Sequence, residues 1–293
     1  MSSFYQQINH NRRRSSLIIG LFIAFTIFTG YILSLAFNSE SLLPLATIIS
    51  LVSSFSSYFY GDKIVLAINK AIPATREKYF DFYTVAENLS LAAKIPVPKI
   101  YVIESEAMNA FATGRNPEHA VVCTTTGLLQ KLNRTELEGV IAHELSHVKN
   151  YDILLMTIVS VLIGTLSILI NLTSHRLNFF GRRDDRDNNS GPLAIIGIFL
   201  IIFAPLIAQL IQLAISRRRE FLADSSSVYL TRQPSGLISA LEKISNDPTP
   251  FENASTATAS LYISNPFKKD KFASMFSTHP PVADRIQALK AMM

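Results

Sequence analysis

At 293 residues the chain has room for one catalytic domain of ordinary size and several membrane spans. With 48% hydrophobic and only 17% charged residues it falls below the charged quarter usual for soluble domains, which argues against a wholly water-exposed protein. The net charge of +5 comes mostly from Lys and Arg at the edges of apolar stretches rather than from an aromatic-plus-basic recognition motif, which argues against a nucleic-acid partner; Cys123, the sole cysteine, permits no intramolecular disulfide and reads as a small buried strand residue.

Four stretches are apolar enough for a bilayer, which takes about 20 helical residues. The first runs from about Leu17 to Phe37 and the second from about Leu42 to Tyr60, joined by the polar turn Asn38-Ser39-Glu40. The first has a basic flank but no small-residue cleavage site, and a second span follows at once, so it reads as a retained anchor. The third runs from about Ile153 to Leu172 and the fourth from about Pro192 to Ile215. Arg12, Arg13 and Arg14 precede the first span, Lys63, Lys70 and Arg76 follow the second, and Arg217, Arg218 and Arg219 follow the fourth. This pattern puts both termini and the long middle segment in the cytoplasm. The loop between spans three and four runs against it, with Arg176, Arg182, Arg183 and Arg186 on the side expected to be outside.

Between the hairpins, residues from about Asp62 to Asn150 have the pattern of an α+β unit. Tyr79, Phe82, Val85 and Leu89 share one face of a helix expected from about Thr75 to Ala93, ended by Pro96 and Pro98. Short β-rich runs follow at Lys99–Ile103, Asn109–Thr113 and His119–Thr124. Thr135 and Glu138 have the spacing of a capping box that opens the next helix.

Inside that helix lies His143-Glu144-Leu145-Ser146-His147. Residues four apart share a helix face, so both imidazoles can point at one zinc ion, with Glu144 placed to reach a water beside it. Zinc lowers the pKa of such a water to about 7, and a neighbouring carboxylate can take its proton for attack on a peptide carbonyl. The helix is too polar, from Asn133 to Glu138 and again from Val148 to Asp152, for an intramembrane protease whose motif lies within a span. A hydrolytic zinc needs a third protein ligand, and Glu220 is the best candidate. Membrane anchoring accounts for Arg217, Arg218 and Arg219 but not for Glu220 and Asp224, which lie four apart on one face; Glu220 can coordinate while Asp224 hydrogen-bonds a ligand imidazole. Two complete spans separate His147 from Glu220, so both fall on the same side of the membrane. The two helices are expected to run straight out of the bilayer and meet at the metal, within roughly 10 Å of the cytoplasmic boundary.

These residues, with Asn109-Ala110-Phe111-Ala112-Thr113-Gly114, Thr278-His279-Pro280-Pro281 and Arg285, resemble the HtpX family of bacterial membrane zinc metalloproteases, relatives of the CAAX-prenyl endopeptidase. The resemblance covers almost the entire chain; Ser225 and Ser226 depart mildly from the small apolar residues common there. It implies a mostly α membrane protein, with four transmembrane helices and a cytoplasmic zincin-like α+β domain containing a small β-sheet. Residues 1–61 would form an N-terminal membrane hairpin, and residues 62–293 a metallopeptidase domain interrupted by a second hairpin at about 153–215. His143, His147 and Glu220 would hold one zinc per chain and Glu144 would be the catalytic carboxylate. Asn109, Ala110 and Phe111 would lie on an edge strand that pairs with extended substrate, and His279 would donate a hydrogen bond to the oxyanion, with Arg285 as possible support. The expected setting is a bacterial inner membrane, the expected partners are peptide or membrane-protein substrates, and the expected role is quality control of membrane proteins under stress. A catalytically idle scaffold or holdase that retains the metal site is the competing expectation.

Overall fold

Apolar runs with helical propensity, punctuated by short polar breaks, give a mostly helical chain with one small sheet. The computed structural model describes residues 4–37, 40–180, 217–251, 255, 257–267 and 280–293. Helix α1 (Phe4–Phe37) holds the first expected span. Among the described residues it is the one helix long and apolar enough to cross a membrane unaided, over Arg13–Tyr31. Helix α2 (Leu42–Phe59) holds the second and bends by 89° at Tyr60 into α3 (Gly61–Ile68). Only taken together do α2 and α3 meet the same criterion of length and composition. The third expected span lies in α7 (Asp152–Phe180); the fourth, at 192–215, lies outside the described residues. Ile18 and Phe22 of α1 pack against Leu155, Ile158, Val159 and Leu162 of α7, fixing the first expected span beside the third.

The next helix, α4 (Phe80–Ala93), starts later than the expected Thr75, because residues 76–78 form a turn. Its buried face carries Phe82, Val85 and Leu89, each contributing about 1.5–3 kcal/mol when fully buried. Lys94 stops it with φ 57°, a left-handed conformation whose amide bonds back to Ser90 and Leu91 ahead of the prolines.

Four strands follow in spatial order β1 (Ile72–Pro73), β2 (Lys99–Ile103), β4 (Ala120–Thr125), β3 (Ala110–Gly114). The β2–β4 pair is parallel and the outer pairs are antiparallel, so the sheet is mixed and β3 lies at an edge. Every residue of β4 is buried, Cys123 among them, as a strand covered on both faces requires.

Helix α5 (Thr126–Lys131) leads into α6 (Arg134–Lys149), the element on which α4, β3, α8 (Arg217–Thr231) and α9 (Pro234–Asn246) all pack. Two of its expected features are corrected. The capping box is Asn133 with Glu136, not Thr135 with Glu138: the Asn133 carboxamide accepts from the Glu136 amide at 3.0 Å, and the Glu136 carboxylate accepts from the Asn133 amide at 2.8 Å. Glu136 is drawn inward because Lys243 and Ser239 of α9 donate to it at 2.7 and 2.6 Å. Nor does α6 run straight into the third span. Tyr151, at φ 60°, breaks the chain, and α6 meets α7 at 86°. The last helix, α10 (Val282–Lys290), lies against α8 and α9.

Candidate metal centre

Three side chains from two helices converge beneath the sheet edge. One helical turn separates His143 from His147 on α6, and their Nε2 atoms face each other at 3.3 Å. Glu220, in the first turn of α8, places its oxygens 3.7 Å from His143 Nε2 and 3.5 Å from His147 Nε2. All three residues are buried, and their candidate ligand atoms lie within 4.8 Å of one another.

The outer nitrogens explain the facing pair. His143 Nδ1 lies 2.9 Å from Asp224 Oδ1 on α8, and His147 Nδ1 lies 3.1 Å from Asp152 Oδ2 at the start of α7. A carboxylate can only accept, so each Nδ1 carries the proton and each Nε2 turns a lone pair inward. Two lone pairs and a carboxylate at such separations repel unless a cation lies between them. Donor atoms bound tetrahedrally at about 2.0–2.1 Å lie about 3.3 Å apart, close to the spacing found here. The wider charge balance agrees: Glu144, Asp152, Glu220 and Asp224 face Arg219 and Arg285. With the imidazoles neutral and the carboxylates ionised, two negative charges remain, matching a divalent ion. The residues therefore fit a metal of the zinc type.

The electrostatics differ from one residue to the next. Burial lowers the pKa of His143, and the Arg285 charge adds to this, favouring the neutral form that a ligand needs. Burial opposes protonation of His147 too, but its hydrogen bond to Asp152 and the charges of Glu220, Asp152 and Glu144 outweigh that and hold it up at about 9. In the absence of metal the proton is the cation this cluster takes. Burial likewise raises the Glu144 carboxyl to about 7, although the Ala112 amide donates to it. For Asp224, burial is overcome by the charge and hydrogen bonds of Arg285, which bring it down to about 2.

Arg285 is fully buried and clamps Asp224 with two bonds, at 2.9 and 2.6 Å, and lies 3.7 Å from Glu220. These carboxylates connect it to the ligand cluster. The expected substrate strand is at a sheet edge, but the outer side of Asn109 and Ala110 is engaged. Ile263 donates its amide to the Ala110 carbonyl at 2.9 Å, and the Asn109 carboxamide donates to the Ser264 carbonyl at 2.9 Å. The Phe111 side chain is buried against Tyr262, with ring centroids 5.2 Å apart. It is Ala112, next along, whose amide points at Glu144. His279 lies outside the described residues.

Two contributors are not evident from the sequence: Asp152 reads there only as part of a polar stretch, and Asn11 as part of the basic flank. The Asn11 carboxamide donates to Asp152 Oδ1 at 2.8 Å and to the Asn150 carbonyl at 3.0 Å. A carboxylate five residues after the motif histidine was the available signal for Asp152; Asn11, far away in sequence, gave none.

Comparison with known proteins agrees with the geometry. Residues 81–293 match the family described as Peptidase family M48. A protein named Protease HtpX homolog from Streptococcus uberis is 43% identical over 98% of this chain and 99% of its own length. Another of that name, from Caldanaerobacter subterraneus subsp. tengcongensis, is 44% identical over 99% and 98%. Among solved structures, the crystal structure of S. mikatae Ste24p matches with a TM-score of 0.51 at 20% identity, covering 96% of this chain and 66% of that one, a likeness of fold. The chain belongs to peptidase family M48 and is a membrane metalloprotease of the HtpX type.

Proposed function

We propose that the protein is an integral membrane zinc endopeptidase that cleaves peptide bonds at the cytoplasmic face of a bacterial inner membrane. The observation that carries this reading is the convergence of His143, His147 and Glu220 on one point with Glu144 beside it. One zinc ion per chain would be held by those three ligands, with Asp224 and Asp152 orienting the imidazoles and Arg285 fixing Asp224. Bound zinc supplies Lewis acidity, polarising a peptide carbonyl and lowering the pKa of a water to about 7. Glu144 takes the proton of the attacking water and passes it to the departing amine. Glu144 is buried beside the ligands with the Ala112 amide donating to it, placed where a carboxylate can take and return that proton. His279 is proposed to donate to the developing oxyanion, and the β3 edge at Ala112, past the Ile263 contact at Ala110, to pair with an extended substrate, main chain to main chain.

The domain reading pairs a membrane hairpin at residues 1–61 with a peptidase domain at 62–293 interrupted by a second hairpin at about 153–215, four spans in all. The basic flanks of the apolar stretches support a cytoplasmic site. Recognition through the main chain tolerates many sequences, which suits quality control of misfolded membrane proteins. Metal analysis of the purified full chain tests the ligand set: one zinc per wild-type chain is expected, and Glu220→Ala should fall well below that. Full zinc content in Glu220→Ala would remove Glu220 as a ligand.

A further inference from the structure

At the far end of α2 the chain builds a second cavity, of about 310 Å³, away from the metal centre. Its cations come from separate parts of the chain: Lys63 on α3, Lys99 at the start of β2, and Arg115 in the turn after β3. Among the described residues that line it, Asp62 alone is acidic. A membrane flank needs positive charge near the bilayer, but it does not need three distant segments to aim their charges at one hollow.

Arg115 is held in place. The Nδ1 of His119 donates to Asn116 Oδ1 at 2.7 Å, which leaves its Nε2 to accept from Arg115 Nη2 at 3.0 Å. The guanidinium lies 5.4 Å from the centroid of Phe59, and the Lys63 ammonium 5.4 Å from that of Tyr60, both within cation–π range. Below the cavity the surface turns apolar. Leu51, Phe55 and Phe59 follow one another at helical spacing on α2, each about half exposed, and the rings of Phe55 and Phe59 lie 4.6 Å apart. With Tyr58 and Tyr60 they place aromatic side chains at one end of an apolar helix, as at a membrane–water boundary.

We propose that this cavity binds the phosphate head group of an anionic phospholipid, whose acyl chain lies along Leu51, Phe55 and Phe59. A soluble anion would use the cations but leave the apolar track idle; a lipid uses both. The inference takes from the proposed function only that α2 lies in the bilayer with its Tyr60 end at the cytoplasmic leaflet, the leaflet whose anionic lipids attract basic groups. It does not depend on the metal.

The chain contains no tryptophan, so Phe59→Trp supplies a single reporter that keeps the stacking under Arg115. The full-length Phe59→Trp protein is reconstituted in vesicles carrying either brominated phosphatidylglycerol or brominated phosphatidylcholine. Half-maximal quenching should require roughly threefold less brominated phosphatidylglycerol than phosphatidylcholine. Adding Lys63→Gln, Lys99→Gln and Arg115→Gln should bring that ratio to about one, with quenching by phosphatidylcholine unchanged as the control for insertion. If the triple variant does not insert, Arg115→Gln alone carries the test and should lower the ratio. Equal quenching by the two lipids in the parent, or a ratio that survives the substitutions, would overturn the proposal. Loss of the preference in millimolar inorganic phosphate but not in chloride of equal ionic strength would assign the cavity to a soluble anion and overturn the lipid. Absence of quenching by either lipid would remove α2 from the bilayer, and this site with it, while leaving the metal centre untouched.

Discussion

An imidazole becomes a metal ligand only when something fixes which nitrogen holds the proton, and here that task falls to carboxylates on other elements. The motif itself, His143-Glu144-Leu145-Ser146-His147, was legible because helical spacing alone makes the two rings neighbours. Glu220 and Asp224 were legible as anions that membrane anchoring does not need. Asp152 was not, because it lies beyond a chain break whose direction the sequence does not state. Asn11 was still less so: its partner is 141 residues away and depends on how α1 packs on α7. Since Asn11 touches Asp152 rather than a ligand, its loss should cost less than the 10- to 100-fold typical of a residue bonded directly to one. Asn11→Ala should weaken zinc binding roughly threefold to tenfold in a chelator competition. An unchanged affinity would mean that Arg219, 3.5 Å from Asp152, suffices to hold it.

Periodicity defines the elements closely in the sequence; tertiary contacts decide what it leaves open. The run Lys99–Ile103 matches β2 residue for residue, and the two other strands are displaced by one. Both Asn133–Glu136 and Thr135–Glu138 satisfy a capping box; the choice is made by Lys243 and Ser239 on a helix more than 100 residues later. The right-angled turn between α6 and α7 was hidden for a different reason. A left-handed backbone usually announces itself as glycine or asparagine, and here tyrosine adopts it at Tyr151. What glycine does announce is the contact that holds α6 against α9. A Cβ on Gly139 would meet the Leu237 amide nitrogen at 2.7 Å, and one on Gly236 would meet the Thr135 carbonyl oxygen at 2.6 Å. Gly139→Ala should therefore force the helices apart at a cost of about 1–3 kcal/mol, read as a fall of about 2–10 °C in Tm of the full-length protein. An unchanged Tm would show that this crossing is loose.

At the scale of the whole molecule, a buried anionic cluster is both the means of holding a metal and a liability without one. In the metal-free protein, burial raises the Glu144 carboxyl from its usual 4.5 to about 7. At His147 burial acts the other way, but the Asp152 hydrogen bond and surrounding carboxylates prevail and raise the imidazole from 6.5 to about 9. The folded state thus holds both protons more tightly than the unfolded chain. That stability is complete below about pH 4.5 for Glu144 and below about 6.5 for His147, and it is lost as pH rises through 7 and 9. Zinc replaces the His147 proton as the cation of the cluster, so the Tm gap between zinc-loaded and chelator-treated protein should widen from pH 5 to pH 9. A gap that narrows over that range would contradict this account of the site. The central claim, that these residues hydrolyse peptide bonds rather than merely hold a metal in a membrane scaffold, rests on Glu144. Peptide cleavage and zinc content measured together on purified Glu144→Gln decide it. Zinc should stay at one per chain while cleavage, self-cleavage included, falls by about 100- to 10,000-fold; undiminished cleavage by that variant would contradict the mechanism.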